Sequence, residues 1–348
     1  MLSLIKKSCF RLLDLLQLPH LLLFILRNRP LIILYHGVAP EIKNYGIFNY
    51  RKKFLDPKSF RKQIIWISKH FKVVPLSYII ERLKSGNGFE KSVCAITFDE
   101  GYQNLYKYAF PVLKELGLTA TIFITTNLVD KKEPLWVDRL EYAIGTTHLS
   151  QFTIELGGNR RTFQIKTPQD RCSIDSYLRS YLKKIPNPEA TRLLESITNL
   201  TGKDLRKGFP SSPYRGLNWE EIKEMARYGI DFGPHTLSHP ILSKLTKESA
   251  EKEIYESHQI IQEKLGKSLN IFAYPNGEKN DFNAQTISIL KNLGLHGALT
   301  TIPGKITLKD DPYRIPRITL DGTDTMSYFR ITISGVRNLI RSFLNFFK

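Results

Sequence analysis

The stretch that most constrains this chain is Val93-Cys94-Ala95-Ile96-Thr97-Phe98, followed at once by Asp99-Glu100-Gly101. A strand with one face in water must alternate polar and apolar residues, and this run does not. Read as a strand it is buried on both faces, which calls for a parallel sheet covered by helices. The two carboxylates then stand just beyond a strand's C-terminal end, where α/β sheets bind their ligands. Adjacent carboxylates repel, so both stay ionised near neutrality only beside a cation or good donors. A solvated acidic turn has the same composition, so the pair needs company before it means more.

His235-Thr236-Leu237-Ser238-His239-Pro240 supplies that company. Two histidines four apart are expected to face one way on a helical turn, so that both imidazoles reach one ion. Two imidazoles and a carboxylate make a donor set suited to zinc, iron or cobalt.

Around these stretches strand-like and helical segments alternate. Residues 31–38 are a second buried run, ending in His36 and Gly37; a lone histidine at a strand end is more often structural than functional. Helical spacing over 60–70 gives way to a short strand at 72–75 and a helix at 77–84, closed by Ser85-Gly86-Asn87-Gly88. A helix at 105–116, stopped by Gly117, leads to the β-branched strand 119–124. Further on come a helix at 218–228, a strand at 230–233, a long charged helix at 247–265 and a strand at 270–274 running into Pro275-Asn276-Gly277. A helix at 284–293 and strands at 297–300 and 314–320 follow. This alternation predicts a parallel sheet.

The rhythm breaks over 127–213. There 135–144 has helical spacing, 152–156 and 162–165 read as a hairpin turned at Gly157-Gly158-Asn159, and two polar helices follow near 169–184 and 188–200. The chain therefore divides into a basic apolar helical segment (1–30), a main domain in two pieces (31–126 and 214–325), an inserted α+β cap (127–213) and a basic amphipathic helix (326–348).

With 348 residues, 42% of them hydrophobic, the chain can build one large (β/α) barrel with insertions, or two smaller domains, without disulfides. Cys9, Cys94 and Cys172 are odd in number and lack metal spacing; Cys94 reads as a core residue, and nothing requires an oxidising compartment. The formal charge of +18 calls for an anionic partner. No zinc-finger, RNA-recognition or helix-turn-helix signature accompanies it, which disfavours nucleic acid. Instead the basic residues of both ends are interleaved with large apolar ones. Lys6, Lys7, Arg11, Arg27 and Arg29 surround an apolar N-terminal stretch, and Val336, Leu339, Ile340, Phe343, Leu344 and Phe347 share one helical face beside Arg337, Arg341 and Lys348. That pattern suits an anionic membrane surface, with packing of the N-terminal helix pair onto the scaffold as its alternative, and docking of the C-terminal helix onto the barrel is equally simple. The N-terminal stretch is broken by Asp14, Gln17, Pro19 and His20, short of the roughly 20 apolar residues that span a bilayer, and has no small-residue cleavage site. The expected location is peripheral, on the cytoplasmic face of a membrane rather than secreted.

Taken in order, the motifs resemble a family. Thr97-Phe98-Asp99-Glu100-Gly101-Tyr102 resembles the Thr-Phe-Asp-Asp-Gly-Tyr motif of the polysaccharide deacetylases (carbohydrate esterase family 4, NodB-like), and His235 to Pro240 is similar to their His-Ser/Thr-x-x-His motif. Phe272-Ala273-Tyr274-Pro275-Asn276-Gly277 resembles the loop that follows, and Leu34-Tyr35-His36-Gly37-Val38 the N-terminal segment of members whose motif order is circularly permuted. The resemblance implies an α/β fold, a distorted (β/α) barrel of about seven parallel strands. It also implies metal-dependent removal of N-acetyl, or another N-acyl group, from amino sugars of a polysaccharide or lipid-linked glycan precursor. By motif position it implies Asp99 as catalytic base and His36 as general acid. Glu100, His235 and His239 would hold a divalent ion, Zn²⁺ first, with Co²⁺, Ni²⁺ or Fe²⁺ also suited. Tyr102, Pro275 and Asn276 would stand beside the substrate, with a main-chain N–H near Asn276 as oxyanion donor.

Two positions depart from the resemblance. Glu100 stands where the family places aspartate, longer by one methylene; zinc accepts glutamate beside two histidines, but a site broken there would leave a non-catalytic glycan- or lipid-binding scaffold as the alternative. Ala273 stands where many members carry an arginine that orients the base. Arg317 is the candidate substitute, or a plain structural arginine. His296, where a strand begins, is read as structural.

Overall fold

The computed structural model describes residues 2–42, 45–207, 212–323, 325–337 and 339, with side chains from residue 8 onward. Two helices, α1 (Leu2–Leu15) and α2 (Leu18–Ile25), come first. Strand β1 (Leu31–Tyr35) enters the interior, followed by the short β2 (Gly37–Val38) and β3 (Phe54–Leu55). Helix α3 (Pro57–His70), β4 (Lys72–Val73) and α4 (Leu76–Ser85) lead to β5 (Val93–Phe98). A π-helical turn, Leu105–Ala109, runs into α5 (Phe110–Glu115), and β6 (Ala120–Ile124) into the short α6 (Thr126–Val129). The irregular middle holds α7 (Trp136–Thr146), the hairpin β7 (Gln151–Leu156) and β8 (Asn159–Gln164), α8 (Pro168–Leu182) and α9 (Asn187–Thr201). Then come α10 (Trp219–Arg227), β9 (Ile230–Pro234), α11 (Lys247–Leu265), β10 (Ile271–Ala273) and α12 (Ala284–Asn292). Strands β11 (Gly297–Leu299) and β12 (Ile318–Thr319) and helix α13 (Met326–Ile333) follow.

The main sheet is parallel, in the order β12-β1-β5-β6-β9, with β4 on the first residues of β5. Strands β1 and β5 are wholly buried, as unbroken apolar runs require. Strands β10 and β11 pair separately. The Leu269 N–H donates to the Phe232 carbonyl (2.9 Å), tying the approach to β10 onto β9, and Leu299 bridges to Ile315 just before β12. The strands thus pass round a seven-membered ring that is not one continuous hydrogen-bonded sheet, which is the sense in which the barrel is distorted. A Cβ on Gly233 would lie 2.8 Å from the Phe123 ring and 3.1 Å from the Ile271 carbonyl, so glycine is what lets β9 pack at this seam.

Two local readings differ from expectation. The helix anticipated over 105–116 begins with π geometry: Pro111 has no N–H to return to residue 107, and the ladder shifts by one residue. The strand anticipated over 31–38 splits at His36, where Gly37 and Val38 leave β1 to pair with Phe54 and Leu55. The segment between β6 and α10 has its own small core, with Leu140 and Ile144 of α7, Phe152 and Phe163 of the hairpin, Leu178 and Ile197. Of the amphipathic helix read at the C-terminus, 338 and 340–348 lie outside the described residues; Val336 packs with Phe10 and Ile331.

Candidate metal centre

The ends of several parallel strands build the site. At the end of β5 the Asp99 N–H still donates to the Tyr35 carbonyl (3.1 Å), and then Glu100 (φ 66°) and Gly101 (φ 86°) turn the chain in left-handed geometry. A side chain at Gly101 would meet Ile124 at 2.7 Å, so the turn is open only to glycine. Both carboxylates are buried.

The histidine segment does not form the helical turn expected of it. Pro234 closes β9 and Pro240 disfavours helical geometry at His239, so 235–240 is a loop with Thr236 (φ 68°) and His239 (φ 62°) left-handed. Thr236 Oγ1 accepts the His239 N–H (3.0 Å), and Glu253 of α11 accepts the Leu237 and Ser238 N–H groups (2.9 and 3.0 Å). The two rings still converge, with centroids 5.0 Å apart. His235 Nδ1 lies 2.7 Å from the Ala273 carbonyl, which fixes the Nδ1–H tautomer and leaves Nε2 as a ligand atom.

One ligand atom each from Glu100, His235 and His239 lie within 4.8 Å of one another, and His239 Nε2 is 3.6 Å from Glu100 Oε1. In a tetrahedral zinc site with bonds near 2.1 Å, donor atoms sit about 3.4 Å apart. Both ring nitrogens of His239 and Glu100 Oε2 are buried with no hydrogen-bond partner among the described residues. Buried polar atoms are rarely left so. The donor set fits a divalent ion, and the extra methylene of Glu100 does not take it out of reach. Burial pushes the Glu100 carboxyl up to about 7, against the opposing pull of His36. Burial also lowers His235 to about 4 and His239 well below the ordinary histidine value, so both imidazoles are neutral and free to ligate.

Asp99 and His36 flank this triad, each held by a partner from the far end of the chain. Arg317, fully buried one residue before β12, grips Asp99 in a two-pronged pair (Nη1 to Oδ1 2.7 Å, Nη2 to Oδ2 2.6 Å), while its Nε donates to the Thr300 carbonyl (2.8 Å). Burial alone would raise the Asp99 carboxyl; the guanidinium first, joined by His235 and His36, outweighs this and holds it below the usual carboxylate range. His36 Nδ1 lies 2.6 Å from Asp321 Oδ2, and Nε2 is 3.8 Å from Glu100. Burial works against a charged His36, but Asp321 and then Glu100 raise it to about 10, so the imidazole is cationic near neutrality. The sequence reading did not reach Asp321. A carboxylate just after another strand was the available signal, and the register of β1 on β12 (Leu34 opposite Thr319) carries it to His36.

A cavity of about 790 Å³ opens over these groups. Asn276 lines it with left-handed backbone (φ 59°), and its main-chain N–H has no acceptor among the described residues. Pro275 is buried and forms the turn, accepting the Gly277 N–H (2.7 Å). Tyr102 does not stand beside a substrate: it is wholly buried, its hydroxyl donates to Asp138 (2.6 Å), and Lys53 donates to it (2.8 Å). Aromatic packing on Phe54 takes it there. Lys53, itself on the cavity wall, also pairs with Asp138, so Tyr102 ties the metal loop to α7. The inserted segment contributes Val137 and Glu141 of α7 and Arg179 of α8 to the wall. His296 is exposed and apart from the site.

A profile of the polysaccharide deacetylase family matches residues 86–153 and 189–298, leaving a gap that holds the second half of β7 and all of β8 and α8. The poly-β-1,6-N-acetyl-D-glucosamine N-deacetylase of Staphylococcus epidermidis is 25% identical over 209 residues, 56% of this chain and 63% of that protein. The chain spans 56% to 63% of the length of the first curated relatives it matches. Among solved structures, the Streptococcus pyogenes deacetylase PplD superposes with a TM-score of 0.57 at 17% identity, covering 88% of this chain and 98% of that one. IcaB from Ammonifex degensii gives 0.55 at 16% identity, covering 88% and 96%. These two likenesses bear on the fold.

Proposed function

Because this chain belongs to the polysaccharide deacetylase family, we propose that it is a divalent-metal hydrolase removing N-acyl groups, N-acetyl first among them, from amino sugars of a polysaccharide or lipid-linked saccharide. The observation that carries the reading is the convergence of Glu100, His235 and His239 between Asp99, locked by Arg317, and His36, locked by Asp321. An ion held by the triad would polarise the amide carbonyl and acidify a water. Asp99, not spent as a ligand and kept ionised by Arg317, accepts the proton from the attacking water. The Asn276 N–H, from a residue on the cavity wall, is the candidate donor to the oxyanion. His36, cationic through Asp321, gives its proton to the departing amine nitrogen, which is a poor leaving group unprotonated.

The Staphylococcus epidermidis relative makes oligomers of β-1,6-linked N-acetylglucosamine the first substrate to try. Metal content and acetate release are measured on protein purified without a metal-affinity tag, for wild type, Asp99→Asn and His235→Ala/His239→Ala. The proposal expects about one ion per chain in wild type and in Asp99→Asn, activity in wild type alone, and neither metal nor activity in the double variant. No metal in wild type after zinc addition would sink it in favour of a binding scaffold.

A further inference from the structure

The two N-terminal helices present an apolar face that stands exposed among the described residues. Leu12, Leu15, Leu16, Leu21, Phe24 and Ile25 are between 55% and 77% exposed, and no other stretch of this length among the described residues gathers as many exposed large apolar side chains. The arrangement is not that of a loose tail. Phe10 stacks on Tyr328 of α13 (5.4 Å), and Asp14 turns inward to accept hydrogen bonds from Arg330 and Ser327. Leu13, Leu18 and Leu22 pack on the same side, and His20 lies edge-on to Trp66 of α3. One side of the hairpin is thus fixed to the fold, and that fixes the other side outward.

Charge decides what can cover it. Within 1–30 the only acidic residue is Asp14, which Arg330 neutralises, against five basic residues: Lys6, Lys7, Arg11, Arg27 and Arg29. From 326 to 348 the sequence has basic residues and no acidic one. A second copy of a chain with net charge +18 would bring repulsion to this face, whereas an anionic surface would bring attraction. No single described helix is long and apolar enough to cross a bilayer, and the pair bends by 60° with its inner side already packed. Apolar residues on one outward side, cations nearby and an inner side packed on the fold make the pattern of a segment lying in a lipid interface.

We propose that α1 and α2 form a membrane-docking hairpin that seats the protein on an anionic phospholipid surface, with Leu12, Leu15, Leu16, Leu21, Phe24 and Ile25 immersed and the bordering arginines against the headgroups. The hairpin is one helix away from the cavity: α13, on which it packs, contributes Thr332 to the cavity wall, and Arg337 follows at the rim. Docking therefore holds the cavity within one helix of the lipid surface. The inference stands apart from the chemistry proposed for the site.

The test is co-sedimentation of the full chain with vesicles of phosphatidylcholine alone and of phosphatidylcholine with 30% phosphatidylglycerol, a composition of about physiological anionic content. Wild type is expected to partition onto the anionic vesicles, and Leu15→Glu/Phe24→Glu to lose at least about tenfold in partitioning, since two carboxylates would enter an apolar, negatively charged interface. Both substitutions are at exposed sites, and unchanged circular dichroism and thermal unfolding report an intact fold. Equal partitioning of the variant would place any lipid contact elsewhere and overturn the proposal. So would a dimer in light scattering that the substitutions abolish, which would make the face a protein interface.

Discussion

Replacing Arg317 by methionine removes the guanidinium while keeping much of the stem. Arg317 is fully buried and Asp99 is 2% exposed, so water cannot take over the lost contact. Removing one partner of such a pair costs about 3–5 kcal/mol, because the remaining charge stays buried and unpaired. Asp99→Asn leaves the cation with Thr300 and Thr97 as acceptors and should cost somewhat less. The double variant has no buried charge at this place, so its loss should fall short of the sum by about 3 kcal/mol. Urea unfolding of the four metal-free proteins at pH 7 measures this. The sign of the pH dependence adds a second check. Asp99 is depressed in the folded protein, so its contribution is present above the unfolded carboxyl value of about 3.9 and lost as pH falls through the folded one. The gap between wild type and Arg317→Met should therefore narrow in acid. Single-variant losses that simply add, within about 0.5 kcal/mol, would refute the reasoning.

Other outcomes follow from the same geometry. Glu100→Asp draws the carboxylate back by about 1.5 Å, one carbon–carbon bond, from a position already 3.6 Å from His239 Nε2, so zinc affinity by competition with a chelator should fall roughly 10–100-fold despite the shared charge. Asp321→Asn removes the main support of the His36 cation; the protonated form should then be lost at lower pH, moving the alkaline limb of kcat/KM down by more than about one unit, and an unmoved limb would exclude His36 as the acid. Arg330→Ala frees Asp14 and should cost the docking of α1 about 1.5–3 kcal/mol, read as faster hydrogen exchange over 2–25; in wild type, where Asp14 is held below its ordinary value, the same loosening should come only in acid, as pH falls through that lowered value.

What the sequence discloses here and what it withholds divide along a physical line. Strand β5 and its carboxylates are legible because both the burial of the run and the turn after it are encoded within nine residues. The ligand triad is legible by residue type, but its geometry is not. The helical spacing of His235 and His239 is coincidental, and a loop bounded by two prolines delivers the rings instead. Arg317 and Asp321 reach their partners through parallel register between strands more than 200 residues apart, so the sequence offers Arg317 only as a candidate and Asp321 only as a carboxylate after a strand. Tyr102 misled because a motif position says which loop a residue is in, not which way its side chain goes.

The departure at Glu100 has a structural counterpart. Among the described residues nine non-glycine positions have positive φ, and four of them, Glu100, Thr236, His239 and Asn276, lie on the loops after β5, β9 and β10. Such backbone costs of order 1–3 kcal/mol at each position and persists only where surrounding contacts over-determine it. Here Glu253 clamps the histidine loop, Thr301 donates to the Asn276 carbonyl (2.6 Å), and the Tyr102–Asp138–Lys53 cluster braces the loop that carries Glu100. The ligand reach of a carboxylate depends on its backbone as much as on its length. With the loop braced from α7, a glutamate brings Oε1 to 3.6 Å from His239 Nε2, a separation one ion can bridge. If that account is right, loosening the brace should weaken zinc binding without touching a ligand. Tyr102→Phe, which removes the hydroxyl between Lys53 and Asp138, should lower zinc affinity several-fold while Asp138→Asn, which also unpairs Lys53, lowers it further. Unchanged affinity in both would mean that Glu100 reaches the ion on its own.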